Sequence, residues 1–197
     1  RVPMTPDWVN QTERPGFLRL HGRESLSSCF NQSLVARRVQ EHHVVAATCA
    51  EFEPDNFQQM AGLVCYYNSN YFHYLYLHGD DLAGDRSRKF LNLISCDRVN
   101  HGFPLADAID VTGAERVYLK ADYDGESLQF YCALTEGDWI AVGPVLDGSM
   151  LSDEHAANDR ERFHAAFTGA FVGMACQDLS GQGIHADFDW FEYVELS

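Results

Sequence analysis

Apolar residues return at every second position through about ten short stretches of this chain, and turn residues separate most of them. Strand side chains alternate between faces, so this period builds half-buried strands and not helices. Residues 116–123 are the cleanest case: Val117, Leu119 and Ala121 face one way, Tyr118, Lys120 and Asp122 the other. Asp124-Gly125 then supplies a hairpin turn into residues 127–134, where Leu128, Phe130, Cys132 and Leu134 share a face. A second hairpin is expected across Asn68-Ser69-Asn70. Its outgoing arm, Tyr71 to His78, is apolar or aromatic on both sides, which raises the question of what covers the second side. Further strand-like runs lie at 34–40, 44–52, 89–96, 138–143, 167–176 and 186–194. This pattern predicts an all-β, two-sheet antiparallel sandwich. Residues 149–164 are the one polar, turn- or helix-like insertion. Residues 1–15, with Pro3, Pro6 and Pro15, read as an interdomain linker or N-terminal extension, leaving 16–197 as the sandwich. The chain opens on Arg1, and we expect it to be a piece of a longer protein.

The net charge is −15. Nucleic acids and anionic membranes both require a basic footprint, so neither is expected as a partner. No apolar run approaches the ~20 residues of a membrane helix. The six cysteines are scattered singly with no C-x-x-C pair, mostly inside apolar runs, where a reduced cysteine acts as a small hydrophobe.

Catalytic motifs are absent. The nine histidines show no metal-ligand spacing, no G-x-S-x-G surrounds Ser149 or Ser180, and no glycine-rich phosphate loop occurs. Carboxylates are plentiful at Glu51, Glu53, Asp55, Asp80, Asp81, Asp153, Glu154, Asp187 and Asp189, but nothing in the order of residues makes a pair converge. Asp187 and Asp189 share a strand face, which leaves a calcium site open, although no D-x-D-x-D-G loop supports it; otherwise no metal or cofactor is expected. Phe171 stands out among the aromatics. Gly169 and Gly173 flank it at i±2, so the ring has no same-face neighbour to lean on within its strand. Such a ring fills space from a facing element or projects toward a partner.

Four long stretches carry a resemblance: "RPGFLRLHGRESLSSCFNQSLVARR" (14–38), "FEPDNFQQMAGLVCYYN" (52–68), "LQFYCAL" with "IAVGPVLDGSMLSDE", and "FTGAFVGMACQDLSGQGIHADFDWFEY". Together they resemble the C-terminal domain of family 43 glycoside hydrolases of the β-xylosidase type. The resemblance implies a concanavalin A-like jelly roll serving as accessory domain to a five-bladed β-propeller, which carries all three catalytic carboxylates. It therefore implies no catalytic residue in this chain. It further implies xylo-oligosaccharides or arabinosides as the parent's substrates, a homo-oligomeric parent, and a phenylalanine that narrows the propeller's sugar pocket. By motif order that phenylalanine is Phe171. Cysteine usage together with the family's frequent cytoplasmic members leads us to expect a cytoplasmic protein. A rival reading is an autonomous xylan-binding module in which exposed rings, Tyr76 and Trp190 first, stack on sugar.

Overall fold

A computed structural model describes residues 3–80, 88–98, 100–157 and 167–196. The strands in chain order are β1 (Val9–Asn10), β2 (Leu18–His21), β3 (Ser33–Arg38), β4 (His43–Glu51), β5 (Gln59–Asn68), β6 (Tyr71–Gly79) and β7 (Lys89–Asp97). There follow β8 (Asn100–Gly102), β9 (Ile109–Asp110), β10 (Val117–Tyr123), β11 (Ser127–Ala133), β12 (Ile140–Asp147), β13 (Phe171–Asp178) and β14 (His185–Leu196). A 3₁₀ turn at Gly148–Leu151 leads into the short helix α1, Asp153–Ala157.

Two antiparallel sheets result, as the alternation predicts. The first runs β1-β2-β14-β4-β10-β11-β12; the second runs β3-β13-β5-β6-β7-β8, with β9 added beside β7. Consecutive strands β3 and β4 lie in different sheets, so the polar turn between them crosses from one layer to the other. The core forms where the inner faces meet. Val117, Leu119, Ala121, Leu128 and Phe130 come from the first sheet, and Leu63, Cys65, Leu75, Leu77, Leu91 and Leu93 from the second. Burying each large side chain is worth roughly 1.5–3 kcal/mol. Leu134 departs from its expected face: β11 ends at Ala133, and the side chain just beyond is exposed.

Both anticipated hairpins form. Gly125 adopts φ +87° between β10 and β11, and the Asp124 carboxylate accepts the Glu126 and Ser127 amides. Only Ser69-Asn70 separate β5 from β6, and Asn68 Oδ1 accepts the Asn70 amide.

The second side of β6 is covered by this chain itself. Phe72, Tyr74 and Tyr76 form a cluster with Val64, Cys96, Ala175 and Leu26. Leu26 arrives on the loop between β2 and β3, where its amide donates to Gln177 Oε1 and the Gln32 side chain donates to the Tyr66 hydroxyl at 3.0 Å. Along the strand the Tyr74 and Tyr76 rings stack at a centroid distance of 5.3 Å, and the His78 ring meets Tyr76 at a tilt, 5.5 Å away.

The segment read as a linker is partly built into the sandwich. Val9 and Asn10 pair with Leu20 and Arg19, and the Trp8 ring is buried in the core with Arg23 4.9 Å above it. A buried indole needs a hydrogen-bond partner, and Nε1 donates to the Pro3 carbonyl.

At the far edge of the first sheet β12 is exposed along most of its length. Its pairing with β11 is interrupted between Leu128 and Phe130 by an irregularity that contains Gly143, at φ +67°, and Pro144.

Candidate functional site

Phe171 opens β13 at one end of the sandwich, opposite Arg38 of β3 and Tyr66 of β5. Val172, Met174 and Cys176 enter the core, so Phe171 lies on the outer face, half-buried. The turn before it is fixed by one carboxylate. Asp153 Oδ1 accepts the Tyr67 hydroxyl at 2.7 Å and the Gly169 amide at 3.1 Å. The Tyr67 hydroxyl is the largest influence holding the Asp153 carboxyl below the usual range.

The two glycines beside Phe171 have different causes. Gly169 adopts φ +68°, a left-handed conformation that side chains avoid, with the Arg38 guanidinium 3.0 Å from where a Cβ would stand. Gly173 lies on a regular strand, but a Cβ there would overlap the backbone of β3. Phe167, within the run read as a strand at 167–176, lies before the strand begins and is 83% exposed. Two phenylalanines therefore mark this end of the domain, one solvent-facing and one half-buried at the strand's start.

Tyr76 does not offer a stacking platform. It is 3% exposed because Tyr74 and His78 flank its ring, so the sugar-stacking role expected for it fails on access. Trp190 is half-buried and remains on the outer face of the first sheet, its ring centroid 6.4 Å from that of Tyr118. A β-bulge puts it there. Register slips between Phe188 and Phe191, which inserts a residue and re-aims the side chains beside it. Beyond Phe188 the β2 side of β14 is unpaired, and a cleft of about 490 Å³ opens there. Phe17, Leu18, Phe188, Trp190 and Phe191 line it.

The calcium reading of Asp187 and Asp189 is corrected by their partners. Asp187 receives a two-pronged hydrogen bond from Arg19 at 2.7 and 2.8 Å and a third from Arg14 at 2.9 Å. Asp189 pairs with Arg116 at 3.1 Å. Guanidinium groups thus satisfy the oxygens that a cation would need. Among the described residues, no group of three or more His, Cys, Asp or Glu is placed to hold a metal ion. Of the other candidate carboxylates, Glu51 pairs with Arg14 and Arg116, and Glu53 with Lys89 at 2.6 Å, while Asp81 lies outside the described residues.

Of the two histidines on β6, His73 is buried and His78 partly so. His73 Nε2 lies 3.1 Å from the Asp147 carbonyl, while its Nδ1 has no partner. Burial depresses its pKa to about 4.

Sequence reasoning missed one cluster. The Lys120 ammonium sits 4.3 Å from the Tyr131 ring centroid and 4.5 Å from that of Trp139. Alternation places Tyr118 and Lys120 outward, but Trp139 lies just before β12 begins, and nothing in its own run shows that its ring meets Lys120.

The family profile described as the β-xylosidase C-terminal concanavalin A-like domain matches residues 1–194. The chain belongs to this family. As a β-xylosidase C-terminal domain it has long, specific relatives. It is 39% identical over 196 residues to a β-xylosidase of Bacillus subtilis, covering 99% of this chain and 35% of that protein. A xylan 1,3-β-xylosidase from Vibrio is 38% identical over 195 residues, again with 99% and 35% covered. Among solved structures, xylan β-1,4-xylosidase from Bacillus halodurans superposes with a TM-score of 0.88 at 41% identity, covering 98% of this domain and 35% of that chain. The domain thus spans about a third of the length of these relatives. The family match takes in Trp8, whose ring is buried in the sandwich.

Proposed function

We propose that this domain is the supporting half of a β-xylosidase-type hydrolase, docked on a β-propeller whose sugar pocket it helps to close. Family membership carries this reading, since the profile that spans the chain is that of a domain C-terminal in β-xylosidases. In that arrangement the propeller supplies the carboxylates, and short xylosides, or arabinosides, are the substrates. The name of one relative, xylosidase/arabinosidase 43B of Humicola insolens, keeps both substrate types in view.

We assign Phe171 to that pocket. It lies at an end of the sandwich, the Asp153 contacts fix the turn before it, and the exposed Phe167 beside that turn offers apolar surface for docking. A half-buried ring on a strand terminus keeps its position without a partner, so it can shape a pocket at low entropic cost. The parent is further proposed to assemble as a homo-oligomer.

The test is Phe171→Ala in the full-length protein. Lower kcat/KM on xylobiose with an unchanged melting temperature is expected, because the variant removes a pocket wall and leaves the catalytic carboxylates in place. Unaltered kinetics on both xylobiose and an aryl arabinoside would exclude Phe171 from the pocket.

A further inference from the structure

Asp153 opens α1, yet its carboxylate bonds to residues outside that helix. Capping falls to Ser152, whose hydroxyl accepts the His155 amide at 3.1 Å and whose carbonyl accepts the Ala156 amide at 3.2 Å. The donors to Asp153 are instead the Tyr67 hydroxyl and the Gly169 amide. After the Tyr67 hydroxyl, the groups that hold its carboxyl below the usual range are the Gly169 and Thr168 amides and the Arg38 charge. None of them belongs to α1.

One end of this link is rigid. Tyr67 is buried in the core on β5. The helix itself is held against β6 and β7: Ala156 is buried, His155 Nε2 lies 3.0 Å from Asp97 Oδ1, and the imidazole meets the Tyr71 ring edge-on at 5.6 Å. The other end needs holding. Residues 167–170 precede the strand, and glycine gives residue 169 more backbone freedom than any side chain would. A stiffening side chain is excluded there by the φ of +68° and by the Arg38 guanidinium. Hydrogen bonds from neighbouring elements remain as the means of fixing the turn. Asp153 supplies one at Gly169, and the Val39 amide supplies another to the Ala170 carbonyl at 2.9 Å.

We propose that Asp153 is a positioning residue for the sugar pocket: anchored on Tyr67, it holds the Gly169 turn and, through it, the place of the Phe171 ring. This inference rests on the assignment of Phe171 to that pocket. A strand rises about 3.3 Å per residue, so the clamp acts within about 7 Å of the Phe171 backbone. Placement at that range matters, because a shift of about 1 Å in a group that shapes a reacting site can cost on the order of 100-fold in rate.

A double-mutant cycle in the full-length protein, read as kcat/KM on xylobiose, tests it. Asp153→Ala should lower kcat/KM severalfold in the otherwise wild-type protein. Beside Phe171→Ala it should cause no further loss, because Asp153 acts through that ring. Asp153→Asn keeps an acceptor oxygen toward Gly169 and should recover most of the activity. Losses of equal size in both backgrounds would overturn the proposal, and so would wild-type kinetics in Asp153→Ala. If Asp153→Ala does not fold, Tyr67→Phe removes the anchoring hydroxyl instead, and its cycle is read by the same two criteria. Phe171→Ala with unaltered kinetics would remove the pocket assignment and this proposal together. A loss in Phe171→Ala beside either overturning result removes the positioning role alone.

Discussion

Gly173 of β13 and Ala36 of β3 pair so closely that a Cβ on the glycine would overlap the Ala36 backbone. The β3 strand has no other strand to pair with at the sheet edge, so relief would come from its displacement. Gly173→Ala is expected to destabilise the domain by about 1–3 kcal/mol, the usual cost of forcing extra atoms into a packed site. Urea denaturation measures this, and amide exchange should show that β3 opens first.

His73 gives the domain an acid-sensitive core. Donating through Nε2–H to the Asp147 carbonyl leaves Nδ1 as a bare lone pair, and a proton placed there would find no acceptor. With a folded pKa of about 4 against the usual 6.5, the unfolded chain holds a proton that the folded one lacks throughout that interval. Stability must therefore fall as pH falls from 6.5 toward 4, by on the order of 3 kcal/mol from this residue. Denaturation curves at pH 7 and pH 4.5 should diverge by less in His73→Leu. An equal divergence in the variant would assign the acid sensitivity to other groups.

Asp187 joins the amino-terminal segment to β14. It is 4% exposed and holds Arg19 and Arg14 together. Asp187→Ala would leave the Arg19 guanidinium, itself mostly buried, without its closest counter-charge, and removing one partner of a buried ion pair costs about 3–5 kcal/mol. A loss near the lower figure is expected, because Arg14 is more exposed and can reach Glu51. Urea titration of the variant gives the number.

Asp178 organises the loop before β14. Its carboxylate accepts the amides of Ser180, Gly181, Gly183 and Ile184, with the Ser180 hydroxyl in addition. Partial burial opposes the charged form, yet these donors hold the pKa below its ordinary value. Asp178→Ala should cost about 1–3 kcal/mol for the donors left unsatisfied and should raise amide exchange through the 180–184 loop.

Thiol accessibility offers a simple check on the packing. Cys29 is exposed and the other five cysteines are buried. A thiol reagent should label one cysteine in the native protein and all six after unfolding. Rapid labelling of Cys65 or Cys176 in native buffer would contradict the core described above.

Local pattern revealed much of this architecture and little of its exceptions. The alternation at 116–123 correctly assigned the inner and outer faces of β10, and Asp124-Gly125 placed its hairpin, because both depend on neighbours in sequence. The pairing of β14 with β4 links residues far apart in the chain, and no local signal announces it. Tyr76 and Trp190 looked alike as aromatic residues on strands. One is shut in by the rings two residues away on either side, whereas a bulge turns the other outward, and a bulge leaves no mark in the period. Around Phe171 the glycines were visible, but Gly173 answers to the approach of another strand and only Gly169 to its own backbone.

The edge strand β12 has a consequence for behaviour in solution. An exposed strand with a continuous row of free amides and carbonyls is a template onto which a second copy can add its own edge. Here Pro144 offers no amide, and the kink around Gly143 bends the row that would otherwise be continuous. Concentrating the chain should therefore not draw it into ribbons along this margin. Any contact between copies along this margin must form through side chains and not by strand addition.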